Sequence, residues 1–455
     1  MKRDRRWMLQ GLASGVAVVG IGCKSVPAGP SVTAPTPLID TGDTGDRHPV
    51  INPGPWTPEG SVDLDLFPYG IQVGDVTPER AIFSVRTQVD TVTIELVRIH
   101  PDGWELIMNL ILPRSGRSIQ ADTPGLVPGA RYRWVARSGP QSRSAIGTFI
   151  TPPPAGDSRV IRFGAVSCLG GNEPWPCLSR AAEEQLDLFL FLGDTIYADW
   201  GAVESVQTKW THALAQQGMR DLTASTSLIA TWDDHEVWNG WSPTDTPASQ
   251  IEEARSAFRE SLPQRTGPTG PMWRALQWGD VVDFFVLDSR GERVGNDYIS
   301  RAQMDWIKSA LSASTARFKI ILNSVPITDL SFFGIAGQVA RSDRWQGFPA
   351  QRTELVEHCA TIPGVLFVSG DFHIGAATRI DPINQPAGDI VEILAGPGGT
   401  DISSLYGFVQ EGPRIPRLIR RNNTTIFECD PVAGQIAVRW VDNDGADIAS
   451  YTVEL

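Results

Sequence analysis

The sequence predicts a layered α/β domain preceded by a β-sandwich, and three observations carry that prediction. From about residue 62 to 152, apolar and polar positions alternate in short runs broken by turn residues, the pattern of a sandwich. From residue 158 onward, short apolar runs alternate with stretches of helical periodicity, as in an α/β layering. The apolar runs of this second part stop at polar residues, and in open α/β sheets sites lie beyond the carboxyl ends of the strands.

The N-terminus reads as an address. "MKRDRRWMLQGLASGVAVVGIGC" carries the pair Arg5–Arg6, then an apolar run of about 12 residues, too short to span a bilayer. Residues 1–23 are therefore expected to be an export signal of twin-arginine type. "VGIGC" resembles a bacterial lipobox in which Cys23 is acylated. Cleavage elsewhere is the alternative, because Gly20 stands where that pattern prefers leucine. The expected location is outside the cytoplasm: periplasm, outer-membrane lipoprotein or cell surface. A membrane is expected only through lipid at Cys23, since no later apolar run is long enough to cross one. Residues 24–60, rich in Pro, Gly, Thr and Asp, read as a flexible spacer; its "DTGDTG" reads as linker, not as a catalytic aspartate motif.

Within 61–152 the strands are "YGIQVGDVTPERAIFSVRT", "TVTIELVRIH", "WELIMNLILP", "GLVPGARYRWVAR" and "AIGTFITPP", a sandwich of immunoglobulin or fibronectin type. "TPPPAGD" at 151–157 is a stiff boundary. In 158–455 the strands are "RVIRFGAVSC", "LDLFLFLGD", "STSLIATWDD", "VVDFFVLDSR", "FKIILNSVP" and "GVLFVSGDFH". Helices are expected at "CLSRAAEEQ", "SQIEEARSAFRES", "SRAQMDWIKSALS" and "QRTELVEHCA", and the tail returns to strands at a sheet edge.

Composition narrows the chemistry. The formal net charge is −13, which argues against a nucleic-acid-binding surface. Strand ends bring Cys168; Asp194 and Tyr197; Asp233, Asp234, His235 and Glu236; Asp288 and Arg290; Asn323; and Asp371 and His373. Strand-end residues of one parallel sheet converge, and converging carboxylates repel unless a cation compensates them. Only six histidines are present, so a histidine cage for zinc is not expected; carboxylate, phenolate, thiolate and imidazole donors favour hard cations and ferric iron. Duller readings exist for each residue. Asp194 and Asp371 could be turn formers, Tyr197 a core residue, and Cys168 a disulfide partner of Cys177. Arg290 could hold a phosphate oxygen or pair with Asp288. His48, His100, His212 and His358 read as surface or packing residues, and Trp232, Trp238, Trp241 and Trp345 as core more readily than pocket lining.

Taken together, "SC", "GDTIY", "WDDHE", "LDSR", "SDRWQGFPAQR" and "SGDFH" resemble the PhoD-like alkaline phosphatase and phosphodiesterase family, a branch of the calcineurin-like metallophosphoesterases. The resemblance implies a four-layered α/β/β/α metallophosphatase domain and a centre of Fe3+ and Ca2+. By it, Cys168, Asp194, Tyr197 and His373 hold the iron, Asp194 bridges, and Asp234 and Asp371 bind calcium. His235 matches the histidine that assists the leaving group, and Asn323 falls near a further metal-side position. Asp233 and Glu236 would orient these residues. Thr195 and Asp199 depart from the family pattern, which often has a second tyrosine after the "GD" aspartate and no acid at the latter place. The implied function is hydrolysis of phosphate esters, mono- or diesters, by a hydroxide generated between two cations about 3.5–4 Å apart. A catalytically silent cell-surface binding lipoprotein on the same fold is the alternative.

Overall fold

Leu188–Leu192, Ser227–Thr231 and Val365–Ser369 are buried along their whole length, so each must lie between two other layers. The computed structural model describes residues 51–199, 204–266, 270–333, 341–402 and 409–455. The export signal, Cys23, His48 and the spacer as far as residue 50 fall outside the described residues.

The six apolar runs divide between two sheets, as the α/β/β/α layering implied by the resemblance requires and as the run pattern alone, read as one parallel sheet, did not. Ile161–Val166, Leu188–Leu192 and Ser227–Thr231 pair in parallel at the centre of a nine-stranded sheet. Val282–Val286, Phe318–Asn323 and Val365–Ser369 pair in parallel within a seven-stranded sheet. Alternate residues of both sheets meet in one apolar core, where Phe163 stacks on Phe427 at 4.4 Å and meets Phe284 edge-on at 5.3 Å. The run pattern alone could not show this, because a strand buried by a second sheet reads the same as one buried by helices. The tail strands Asn423–Asp430, Gln435–Asp442 and Asp447–Glu454 extend the first sheet antiparallel from Ile161–Val166.

Helices cover the outer faces. Pro176–Glu183 and Ala248–Ser261 pack on the nine-stranded sheet; Arg301–Ala313 and Pro349–Cys359 pack on the other. The fold is the α/β/β/α layering expected. Two further helices, Val206–Ala215 and Gln217–Ser225, were not legible in the sequence. They are short and meet at Gln216, whose extended backbone breaks the helical period. No described helix is long and apolar enough to cross a membrane.

The N-terminal strands form a sandwich whose two faces differ in what they join. An outer seven-stranded sheet is built on Thr91–His100, Gly103–Pro113 and Arg131–Ser138. The inner strands Gln72–Thr77, Arg80–Arg86 and Ser118–Pro124 continue the nine-stranded sheet, through the parallel pairing of Gly74 with Leu228. Between them lie Phe83, Tyr132, Trp134 and Phe149. Tyr132 explains the "GLVPGARY" stretch, because its hydroxyl accepts the Val127 N–H at 2.8 Å and closes the turn. The end of the expected spacer is also tied down. Asn52–Pro53 pairs with Gly103–Trp104, and Trp56 is buried against Val97 and Val135 with its Nε1 donating to Glu95 at 3.2 Å. A buried indole fixes this stretch despite its proline and glycine content.

Candidate metal centre

The chain turns sharply after four strands, and each turn aims a polar side chain at one rim. Cys168, Asp194, Asp371 and His373 all have left-handed backbone, with φ of 57°, 54°, 62° and 50°. Such conformations cost non-glycine residues of order 1–3 kcal/mol each and persist where surrounding structure enforces them. Here the enforcement is visible. Cys168 and Leu169 donate backbone hydrogen bonds to Gly193 and Asp194. Glu236 accepts the N–H groups of Asp194, Thr195 and Asp233 at 3.0, 2.7 and 2.9 Å, lashing two turns together. Gly193, at φ 97°, has no room for a side chain, since a Cβ would lie 2.4 Å from that of Asp233. Ser167 and Thr231 hydroxyls donate across to the Ala395 and Leu287 carbonyls at 2.7 and 2.9 Å, aligning the ends of the two sheets.

These turns bring the predicted residues together. Donor atoms of Cys168, Asp194 and His373 lie within 4.8 Å of one another, as do those of Asp194, Asp234 and His235, and of Asp233, Asp234 and Asp371. Asp194 belongs to the first two groups and Asp234 to the last two, so the three form one continuous cluster. The Tyr197 hydroxyl and the Cys168 sulfur lie 3.4 and 3.5 Å from Asp194 Oδ2.

The electrostatics are those of an overcrowded anion site. Burial, then the charges of Asp234 and Asp233, hold the Asp194 carboxyl well above the usual range. Burial and Asp233 do the same to Asp371, and burial and Asp194 push up both the Cys168 thiol and the Tyr197 phenol. Burial lowers His373, and the neighbouring His235 adds to the effect. Asp234 is the exception. Burial opposes its ionisation, but Arg290, His235 and the Gly240 N–H at 2.6 Å keep it below the ordinary value. Its Oδ1 is buried with no hydrogen-bond donor. A carboxylate oxygen without a hydrogen bond, faced only by Arg290 at 3.8 Å, beside carboxyl, thiol, phenol and imidazole donors fits bound cations, which would replace the protons these groups otherwise retain.

Several expectations need revision. Arg290 does not present itself to a phosphate. Its guanidinium is fully buried, 2.6 Å from Asp233 and 2.7 Å from Asp343, with Asp371 at 3.6 Å and Asp234 at 3.8 Å. It is an internal counter-ion behind the cluster, engaged on every side by acids. Nor does it pair with the Asp288 carboxylate through its side chain; Asp288 accepts from Trp232 Nε1 at 2.8 Å and Gly291 N–H at 2.7 Å. Asn323 accepts from Ser289 and Trp345 and donates to the Val325 carbonyl, so its amide is spent inside the fold. Cys168 and Cys177 are both free thiols. Trp232, Trp241 and Trp345 are core, and His100, His212 and His358 bond to Glu105, Glu173 and the Lys308 carbonyl away from the cluster.

The sequence reading missed other participants. Thr400 bonds the Tyr197 hydroxyl at 2.9 Å and donates to the Cys168 carbonyl at 3.0 Å. It sits in "GPGGT", where nothing but glycine spacing marks it. Asp343, inside "SDRWQGFPAQR", joins Arg290 to Arg293. Asp199 bonds His235 Nδ1 at 2.6 Å, and Tyr197 stacks on that imidazole at 4.0 Å. Burial lowers the His235 pKa, but Asp199 and the acids around it outweigh burial and raise it overall.

Residues 163–404, just over half of the chain, match the PhoD-like phosphatase family. The chain belongs to that family. Among known relatives, alkaline phosphatase D of Bacillus subtilis is 24% identical over 322 residues, a match that spans 59% of this chain and 55% of that protein. The solved structure of PhoD superposes with a TM-score of 0.71 at 19% identity, covering 87% of this chain and 90% of that one. A purple acid phosphatase from yellow lupin seeds superposes at 0.64 with 13% identity, covering 85% and 74%. Both likenesses establish the metallophosphatase fold of this PhoD-like chain.

Proposed function

We propose that this chain is a metal-dependent phosphoesterase acting outside the cytoplasm, with ferric iron and calcium as cofactors and phosphate esters as substrates. The observation that carries the reading is the continuous cluster of donors sharing Asp194 and Asp234, in which several buried carboxylates meet a thiol and an imidazole. Membership of the PhoD-like family and the name of the Bacillus relative support the same reaction class. The twin-arginine-type signal and Cys23 support export and lipid attachment.

In this reading Cys168, Asp194, Tyr197 and His373 would hold the ferric ion, and Asp194, Asp234 and Asp371 would serve calcium. Bound cations would polarise the phosphoryl oxygens and lower the pKa of water. The protein's own groups do the rest. Glu236 fixes the turns that carry Asp194 and Asp234, and Thr400 fixes Tyr197. Arg290, itself held by Asp233 and Asp343, helps to keep Asp234 ionised. His235 supplies the proton that the departing alcohol needs.

Elemental analysis of the purified protein, beside Asp194→Asn and Cys168→Ser, with assays on an aryl phosphate, tests this. Iron and calcium in the wild type, with loss of metal and hydrolysis in both variants, are expected. Equal hydrolysis by all three proteins, or a wild type without metal, would overturn the reading.

A further inference from the structure

Beside the Asp234 end of the cluster lies a cavity of about 400 Å³, within the ~300–1,000 Å³ of small-molecule sites and with room for roughly a dozen waters at ~30 Å³ each. Two of its walls also support the cluster. Gly240 donates its N–H to Asp234 Oδ2 at 2.6 Å, and Asp343 holds Arg290 and Arg293 at 2.7 Å each. A substituent on a phosphoryl group at this end of the cluster has this cavity to enter. The walls are preformed. Asp245 and Thr246 N–H groups donate to the Ser242 carbonyl at 3.1 Å, Ser242 Oγ donates to Asp245 Oδ2 at 2.7 Å, and Trp238 Nε1 donates to Thr246 Oγ1 at 3.0 Å. Opposite them, Arg293 is buried over the Tyr298 and Phe348 rings, with both terminal nitrogens spent on Asp343. The lining therefore offers no unpaired cation among the described residues. It does offer hydrogen-bonding groups that the protein leaves unused: the exposed Asn239 amide, the Ser342 hydroxyl and Asp245 Oδ1 have no hydrogen bond among the described residues, and Phe348 beside them is half-buried.

From this lining we propose that the cavity is the subsite for the alcohol portion of the ester, and that it selects a neutral, polyhydroxylated group of sugar size. The proposal rests on the phosphoesterase reading above. Carboxylate and amide oxygens accept from hydroxyls, the amide nitrogen donates to them, and the C–H face of a sugar ring packs against an aromatic ring such as Phe348. Other substituents fit less well. An anionic one meets Asp245 and finds no free cation, because Asp343 already occupies Arg293. A plain alkyl chain displaces water from Asn239, Asp245 and Ser342 without replacing its hydrogen bonds.

The test pairs binding with turnover. Methylphosphonate and a hexose phosphonate, neither of which can be hydrolysed, are titrated calorimetrically into the metal-loaded wild type, Asn239→Ala, Asp245→Ala, Thr244→Trp and Ser249→Trp. Hydrolysis of methyl phosphate, ethanolamine phosphate and glucose 6-phosphate is then compared in the same proteins. Wild type should bind the hexose phosphonate roughly tenfold more tightly than methylphosphonate and favour glucose 6-phosphate by a similar factor in kcat/KM. Thr244→Trp, which fills the cavity, should erase both preferences, and Asn239→Ala and Asp245→Ala should each reduce them about threefold. Ser249→Trp, in a different surface cavity, should keep them. If the esters are hydrolysed but wild type shows no preference for the hexose compounds, favours ethanolamine phosphate, or keeps its preference in Thr244→Trp, the subsite is overturned and the phosphoesterase reading stands. If none of the three esters is hydrolysed, that reading falls, and the phosphonate titrations still decide whether the cavity selects a sugar.

Discussion

Asp75 and Asp194 are both buried aspartates with left-handed backbone, φ 43° and 54°, yet the protein treats their charges in opposite ways. Asp75, at the join between sandwich and central sheet, receives Arg274 on both oxygens at 2.6 and 2.8 Å and the Arg265 N–H at 2.5 Å. Asp194 receives only long contacts, from His235 N–H at 3.3 Å, Tyr197 at 3.4 Å and Cys168 at 3.5 Å, and faces Asp234, Asp233, Glu236 and Asp371. A buried charge matched by an arginine is a structural joint, whereas a carboxyl set among other acids without one suits the proposed cation. Asp233 shows that the fold could have supplied an arginine here too, since Arg290 sits directly behind it.

The sharpest way to break this contrast is to remove the two carboxylates in turn. Asp194→Asn should lower kcat/KM on an aryl phosphate by about 10³-fold, some 4 kcal/mol, with loss of bound metal. Asp75→Asn should leave metal content and kcat/KM nearly unchanged but destabilise the fold by about 3–5 kcal/mol, because Arg274 is then buried without its partner. Urea unfolding and elemental analysis read the two outcomes. Arg290→Met should resemble Asp75→Asn in stability, about 3–5 kcal/mol lost, since Asp233 and Asp343 lose their counter-ion.

Much of this site was legible because chemistry gathers at strand ends. Cys168, Asp194, Asp234, Asp371 and His373 were marked by apolar runs that stop at polar residues, and the structure brings all of them to one rim. What stayed hidden depends on direction or on partners far along the chain. The run around Arg290 could not say whether its guanidinium points outward to a ligand or inward to Asp343, which lies more than fifty residues later. Thr400 and Asp199 act through hydrogen bonds that no local pattern encodes. The two-sheet arrangement came from the motif resemblance and not from the apolar runs, because burial on both faces looks alike whatever supplies the second face.

In the metal-free protein burial, with neighbouring charges, pushes Asp233 to about 6 and Glu236 to about 7, and raises Asp194 and Asp371 well above the usual range. The folded chain thus retains protons that the unfolded chain releases near pH 4. Where the folded state binds more protons, stability falls as pH rises, so metal-free protein should weaken steadily between about pH 4 and pH 7. Asp234, held below the ordinary value, contributes in the opposite sense only as pH falls below about 4. Denaturant melts across that range check the slope. The smallest effect belongs to the surface, where Arg301 and Lys308 hold Glu354 down to about 2. Glu354→Gln should cost less than about 1 kcal/mol because solvent screens the pairs, and it should leave metal content unchanged.

The most direct measurement is thermal unfolding of metal-free wild type and Asp194→Asn, each with and without added calcium and iron. Unmatched charge awaiting cations predicts that metal-free Asp194→Asn melts higher than metal-free wild type, and that cations raise the wild-type midpoint while barely moving the variant's. If metal-free wild type melts as high as its cation-loaded form, or if Asp194→Asn is destabilised as Asp75→Asn is, the cluster is a structural joint like the other and the account is wrong.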